Sequence, residues 1–253
     1  MVMPTFFNKI NTSFALPTAA KSSRAPFFEP LINKNISSDS TSSSNGLQNF
    51  IIPNNVGPSA WSCTYMRDSV SSPGPSETGT VISIKKGSPK KSFSCGELIS
   101  RETQLDYGRY SVDMISTAVK GHVTALFLMS PGGTSEIDIE LTGLDPNIVH
   151  LNVWLNGRQN PVRVPLGFDA SKGWHNYAVE WRKDSITWFV DGKQVLKRTG
   201  PVIKTVPPKG TNYKLVLNAW TNNGNDNWAG KFVWPKGRNV KVQSHFKNLK
   251  YTP

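Results

Sequence analysis

Long apolar runs, cysteines and acidic residues are all scarce in this chain of 253 residues. No stretch of about 18 apolar residues occurs, so no transmembrane helix is expected. Two cysteines, Cys63 and Cys95, are too few for a disulfide scaffold or a four-ligand zinc site. They fit either one bridge in a secreted protein or two buried thiols, and spacing alone does not choose. No window of about twelve residues repeats apolar side chains at helical spacing, and 20 glycines and 18 prolines punctuate the chain. Acids are outnumbered, 17 Asp+Glu against 29 Lys+Arg, which leaves a net charge of +12. Such a balance points to polyanions or an acidic cell-wall or membrane surface as neighbours. The lysines are scattered, however, with KKGSPKK (85–91) the tightest cluster, and zinc-finger, helix-turn-helix and aromatic RNA-binding signatures are missing. Nucleic acid is not an expected partner.

What is present divides in two. Residues 1–50 are rich in Ser, Asn and Pro around SSDSTSSSNG (37–46), a composition with too little apolar surface to order itself, and read as leader plus linker. The patch SFALPTAA (13–20) gives a weak secretory signal, because Lys9 and Asn11 interrupt the segment and no basic start precedes it. From residue 51 to 253 the pattern changes to short alternating runs: YSVDMIS, SEIDIEL, VHLNVWL, NYAVEWR, ITWFVDG and YKLVLNAW. Their period of two and their content of Val, Ile and aromatics predict strands, and Asp191-Gly192 sits between two of them as a tight hairpin turn. The expected fold class is all-β, one antiparallel β-sandwich domain.

Within SEIDIEL, Glu136, Asp138 and Glu140 alternate with Ile137 and Ile139. A strand turns alternate residues to opposite faces, so the three acids share one surface while the isoleucines enter the other. Such a row repels itself and raises its own pKa values. Three readings stand on these residues alone: a solvated strand face, a set of oxygen ligands for calcium, or the carboxyl pair of a retaining glycosidase, which sits about 5 to 5.5 Å apart. Asn152 with Trp154, and Asn218 with Trp220, repeat an Asn-x-Trp pattern in two other strands. An indole stacks on a sugar ring while an amide reaches its hydroxyls, so the repeat suits a carbohydrate cleft as well as core packing.

WSCTYMRDSV, FSCGELISRETQLDYGRYSVDM, SEIDIELTG, LGFDASKGWHNYAVEW, ITWFVDGK and LVLNAWTNNGNDNWAG occur in one order over roughly residues 60 to 252. In these motifs the chain resembles glycoside hydrolase family 16, most closely the bacterial lichenases (endo-β-1,3-1,4-glucanases) and more distantly the chitin-glucan and xyloglucan transglycosylases. The resemblance implies a jelly-roll sandwich with a concave glycan-binding cleft. It implies Glu136 as nucleophile, Glu140 as acid/base and Asp138 as the assisting carboxylate. Glu97, Phe127, Asn152, Trp154, Asn218 and Trp220 match substrate-contacting positions, and Arg101 stands two residues out of register with a cleft arginine. Cys63 and Cys95 match the lichenase disulfide, which implies secretion or a cell-wall location. The unbroken E-x-D-x-E resembles the lichenase and transglycosylase branch rather than the laminarinases, whose strand bulges there.

The departures carry information too. Thr134-Ser135 replaces a Trp-Asp pair before the first catalytic Glu, the loop SPGGTSE is short, and Met129 replaces an aromatic. Lys247 occupies the place of a calcium-binding Asp, so no metal and no cofactor is expected. The implied function is a retaining endo-β-glucanase acting on β-1,4 or mixed-linkage β-1,3-1,4 glucan as a monomer. The alternatives are a cell-wall transglycosylase using the same residues, and an inactive carbohydrate-binding protein. Acidic wall polymers are a further expected partner, through the positive charge.

Overall fold

A computed structural model describes residues 46–72, 79–103, 105–155, 157–200, 203, 206, 212–224 and 226–253. The strands among them are β1 (Phe50–Ile51), β2 (Asn55–Val56), β3 (Cys63–Tyr65), β4 (Val70–Ser71), β5 (Thr80–Lys86), β6 (Phe93–Ser100), β7 (Gly108–Ile115), β8 (His122–Met129), β9 (Ser135–Thr142), β10 (Ile148–Leu155), β11 (Arg158–Gln159), β12 (Val162–Pro165), β13 (His175–Arg182), β14 (Ser185–Val190), β15 (Lys193–Thr199), β16 (Lys214–Thr221) and β17 (Val242–Thr252). The six runs predicted from alternation fall on β7, β9, β10, β13, β14 and β16.

Two sheets face each other. The front sheet runs β1-β6-β16-β8-β9-β10-β12, with β11 on the far end of β10. The back sheet runs β4-β5-β17-β7-β13-β14-β15. This is the jelly-roll sandwich expected, with one exception to its antiparallel pairing: β3 lies parallel to β6. Strand β6 belongs to both sheets, since Phe93 and Ser94 pair with β5 while Gly96 to Ile99 pair with β16.

Period-two patterning drives the packing. Leu126, Leu128, Ile137, Ile139, Leu141, Leu151, Leu215 and Leu217 point inward from the front sheet and meet Tyr110, Val112, Met114, Tyr177, Val179, Trp181 and Trp188 from the back. At about 25 cal/mol per Å² of apolar surface removed from water, this interface is the main source of stability. Leu47 and Phe50, on the linker side of the boundary read at residue 51, also pack against this core. The Asp191-Gly192 turn closes β14 on β15 with two residues, Val190 pairing with Lys193, and both turn residues take positive φ (49° and 77°). That is the twist a two-residue hairpin requires. Residues 1–45, with the expected leader and linker, lie outside the described residues.

A smaller apolar cluster gathers Cys63, Tyr65, Ile84, Cys95, Val123, Trp220, Ala229, Phe232 and Val242. Cys63 and Cys95 form a disulfide with α-carbons 5.8 Å apart, joining β3 to β6 across 32 positions of sequence. The bridge ties the one parallel strand pair to the junction of the two sheets. Its reduction is expected to lower stability by about 3 kcal/mol through loop-closure entropy. Thermal melts with and without reductant test this; an unchanged melting temperature would show that β3 holds without the bond.

Candidate active site

Strand β9 presents the acid row because its sequence leaves it one way to pack. Ile137, Ile139 and Leu141 are buried in the sandwich, so Glu136, Asp138 and Glu140 take the outer face of the front sheet. Its register is unbroken against β8, from Met129 opposite Glu136 to Val123 opposite Thr142, and against β10, from Leu155 opposite Ser135 to Val149 opposite Leu141. No bulge displaces the last glutamate. From the back sheet, the Trp188 indole N–H donates to the Asp138 carbonyl (3.1 Å), fixing the strand at the centre of the acid row.

The start of β9 is fixed as tightly. A turn over Pro131–Gly133 leads in, the Ser135 amide donates to Ser130 Oγ (2.9 Å), and Tyr213 Oη donates to Ser135 Oγ (2.5 Å). Ser135 is buried. The residues standing in place of Trp-Asp therefore anchor the strand and offer no aromatic wall.

Cross-strand pairing surrounds the acids. Asp138 lies between Phe127 and Asn152, Glu136 between Met129 and Trp154, and Glu140 between Ala125 and His150. Glu97 on β6 is opposite Asn218 on β16, which is opposite Ala125, so Glu97, Asn218, Glu140 and His150 form one row across the sheet. Asn218 Nδ2 donates to Tyr65 Oη (2.9 Å) and to Glu97 Oε2 (3.3 Å). Asn152 Oδ1 accepts from the Asn160 amide (2.9 Å). Phe127, Asn152, Trp154, Asn218 and Glu97 thus share the acids' face. Arg101 follows the end of β6, four positions past Glu97, is exposed, and donates its backbone amide to the Asn49 carbonyl (2.9 Å).

Trp220 departs from its expected use. It is only 6% exposed, and its ring stacks on Trp61 (centroids 4.7 Å) with Trp228 beside it at 5.8 Å. One face of its indole is covered by Trp61. Trp228 in turn meets the His150 ring edge-on at 5.9 Å, so Trp61, Trp220, Trp228 and His150 make an aromatic bank on the Glu140 side. Asp226 builds the turn that presents Trp228: its Oδ1 accepts from the amides of Trp228, Ala229 and Gly230 at 2.9 to 3.1 Å. Lys91 fixes Trp61, its ammonium donating to the carbonyls of Gly57 (2.9 Å), Pro58 (2.5 Å) and Trp61 (2.8 Å). Sequence reasoning missed Tyr65, Trp61, Lys91, His150 and Trp228; only the NDNW segment beside the second Asn-x-Trp signalled one of them.

Electrostatics set the protonation. Burial, then the charge of Glu97, pushes Glu136 up to about 7. Burial, then Glu136, pushes Glu140 up to about 8. Burial alone lifts Glu97 to about 7 against the hydrogen bonds of Asn218 and Tyr65. Asp138, buried between two glutamates, is raised well above its ordinary value. Four of the buried side-chain atoms that lack a hydrogen-bond partner lie on this face: Asp138 Oδ1, Thr142 Oγ1, His150 Nε2 and Asn218 Oδ1. Unsatisfied buried polar atoms are rare and costly, so their concentration marks a surface built to meet a ligand's hydroxyls. Among the described residues no group of three His, Cys, Asp or Glu is arranged to hold a metal ion.

The comparisons with known proteins agree with this geometry. The family model for glycosyl hydrolases family 16 matches residues 58–236. The chain belongs to that family. It is 36% identical to a Bacillus licheniformis β-glucanase over 187 residues, covering 71% of this chain and 73% of the relative. It is 35% identical to a Brevibacillus brevis β-glucanase over 176 residues, 67% of this chain. The chain spans 64% of the length of the Brevibacillus brevis relative and 64% of a Bacillus subtilis one. Among solved structures, a Bacillus licheniformis β-glucanase superposes with TM-score 0.71 at 30% identity, covering 90% of this chain and 97% of that one. A β-1,3-1,4-glucanase (lichenase) derived from a mouse hindgut metagenome superposes at 0.69 with 26% identity, covering 81% and 92%.

Two expectations follow from the family 16 site. Each buried acid binds its proton more tightly folded than unfolded, so the folded state holds extra protons between pH about 4.5 and the raised values. Stability therefore falls as pH rises through that window. Glu140→Gln is expected to raise the melting temperature by several degrees at pH 8 and by little at pH 4.5, which calorimetry at the two values checks. Lys91→Met is expected to speed amide exchange across residues 57–62 roughly fivefold while leaving β9 protected, as loss of about 1 kcal/mol of hydrogen bonding predicts; uniform exchange across both segments would refute a local role.

Proposed function

We propose that this chain is a retaining, endo-acting β-glucanase. The observation that carries the reading is the bulge-free row Glu136–Asp138–Glu140 on one strand face, where burial and mutual repulsion raise both glutamates toward neutral pH. Glu136 attacks the anomeric carbon as Glu140 gives its proton to the leaving glycosidic oxygen, forming a covalent glycosyl-enzyme and releasing one chain end. Glu140, now ionised, takes a proton from water, whose oxygen displaces Glu136 and restores both carboxyls. Asp138, kept protonated by burial, donates a hydrogen bond to the nucleophile and spreads its charge. A mixed-linkage or β-1,4 glucan is supported by the uninterrupted strand and by relatives named β-glucanase and β-1,3-1,4-glucanase.

The aromatic bank beside Glu140 supports a second reading, transfer of the glycosyl group to a sugar hydroxyl in place of water, as in wall-remodelling transglycosylases. The leaving chain and an incoming acceptor use that same side of the acid/base, and Trp61 and Trp228 give it stacking surface. An inactive binding protein is the weaker alternative, because a lectin cleft gains nothing from four desolvated acids. The disulfide supports an oxidising location, either secreted or in a cell wall.

Incubation with mixed-linkage β-glucan and a fluorescent oligosaccharide acceptor distinguishes these. New reducing ends with falling chain length establish hydrolysis, and label moving into long chains without new ends establishes transfer. Glu136→Ala is expected to remove either activity with the fold retained, and Asp138→Asn to cost less than loss of either glutamate. The kcat/KM profile is expected to be bell-shaped, falling below pH about 7 as Glu136 takes a proton and above about 8 as Glu140 loses one. An active Glu136→Ala protein would overturn the mechanism.

A further inference from the structure

Five lysines gather on the side of the molecule away from the acid row. Lys172 and Lys241 line a hollow on the outer face of the back sheet together with Thr117, Ser171, Gln243 and His245. At Ala118 and Val119 the hollow runs into a second one, lined by Lys120, Lys231, Val233 and Pro235. Lys247, two residues beyond His245 on β17, holds its ammonium 4.1 Å from the centre of the Trp174 ring, and Trp174 meets His245 edge-on at 6.3 Å. Trp174 is 38% exposed.

None of the five lysines forms an ion pair. The nearby carboxylates are hydrogen-bonded to other groups, although Asp169 also feels the charge of Lys172. Asp113, opposite Lys247, accepts from Asn176 and Asn248 (both 2.7 Å), and Asp169 accepts from the Ser171 amide and hydroxyl (2.9 and 2.6 Å). No carboxylate lines either hollow. The result is a focused positive potential over a concave surface that also carries hydroxyl, amide, imidazole and indole groups.

We infer that this groove is a second, non-catalytic glycan site that takes a uronate-bearing polysaccharide. Spaced ammonium groups answer carboxylates repeated along a polymer, Thr117, Ser171 and Gln243 answer ring hydroxyls, and the Trp174 ring answers the C–H face of a sugar. Phosphate polymers fit less well: the hollows contain Lys and no Arg, the residue whose planar fork pairs with phosphate two-pronged. A matrix polymer held here would keep the enzyme in place while the cleft on the other face takes a neutral glucan.

Affinity electrophoresis of the full chain through gels containing polygalacturonate tests the site, with Lys172→Gln/Lys231→Gln/Lys241→Gln compared against Lys183→Gln/Lys193→Gln/Lys197→Gln, which removes the same charge from exposed lysines elsewhere. The groove triple is expected to weaken binding about tenfold and the control triple much less, with β-glucan turnover unchanged in both. Equal weakening in the two triples would reduce the effect to net charge and overturn the site. Failure of the unaltered chain to be retained would overturn it as well. So would tighter, groove-dependent binding of duplex DNA or of phosphatidylserine vesicles than of polygalacturonate. Because retention needs no catalysis, these outcomes are independent of the glucanase reading.

Discussion

Desolvation of three carboxyls on one strand face is the constraint around which the molecule is arranged. The inward face of β9 is all Ile and Leu, so the sandwich cannot form without turning Glu136, Asp138 and Glu140 together onto the other side. Flanked on both edges by β8 and β10, these acids cannot spread apart, and Asp138 between the two half-buried glutamates is buried. Among the described residues no Lys or Arg forms an ion pair with them. Proton retention is the remaining way to relieve the repulsion, and it is the state a general acid needs. Hydrophobic burial between the sheets offsets the stability lost at the row.

Several distant contacts exist to keep that row in register. Trp188 reaches through the sandwich to the Asp138 carbonyl, Tyr213 holds Ser135, and Asn218 links Glu97 to Tyr65 on a strand the disulfide fastens. A slip of one residue would send every acid into the core. These fixings come from β14, from the start of β16 and from β3, so both ends and the middle of β9 are held by different parts of the chain.

Most of the fold was legible because strands advertise themselves by alternation, and the hairpin at Asp191-Gly192 because positive φ at two successive positions demands such residues. The acid row was legible for the same reason: faces follow from period two without knowledge of partners. What escaped has no local period. Lys91 acts on carbonyls 30 to 34 positions away, and Trp61 meets Trp220 across more than half the chain. Nothing in WSCTY says that its tryptophan covers another one. Trp220 fits Asn-x-Trp as a sugar platform, yet only the packing of β3 and the 226–230 turn decides which ring faces outward.

The aromatic surface has moved relative to the expectation, and electrostatics gives the move a meaning. With Thr134-Ser135 spent on anchoring β9, the Glu136 side keeps Trp154, while Trp61, Trp220 and Trp228 concentrate on the Glu140 side. Under the proposed retaining mechanism, binding energy on that side acts on the leaving chain and on any acceptor, so it would tilt the fate of the glycosyl-enzyme more than the first cleavage step. The protein's large positive charge does not oppose this. The lysine groove lies on the outer face of the back sheet, and at physiological salt charges separated by more than about 8 Å of solvent are largely screened from one another. A basic exterior and a cleft of protonated acids can thus coexist in one small domain.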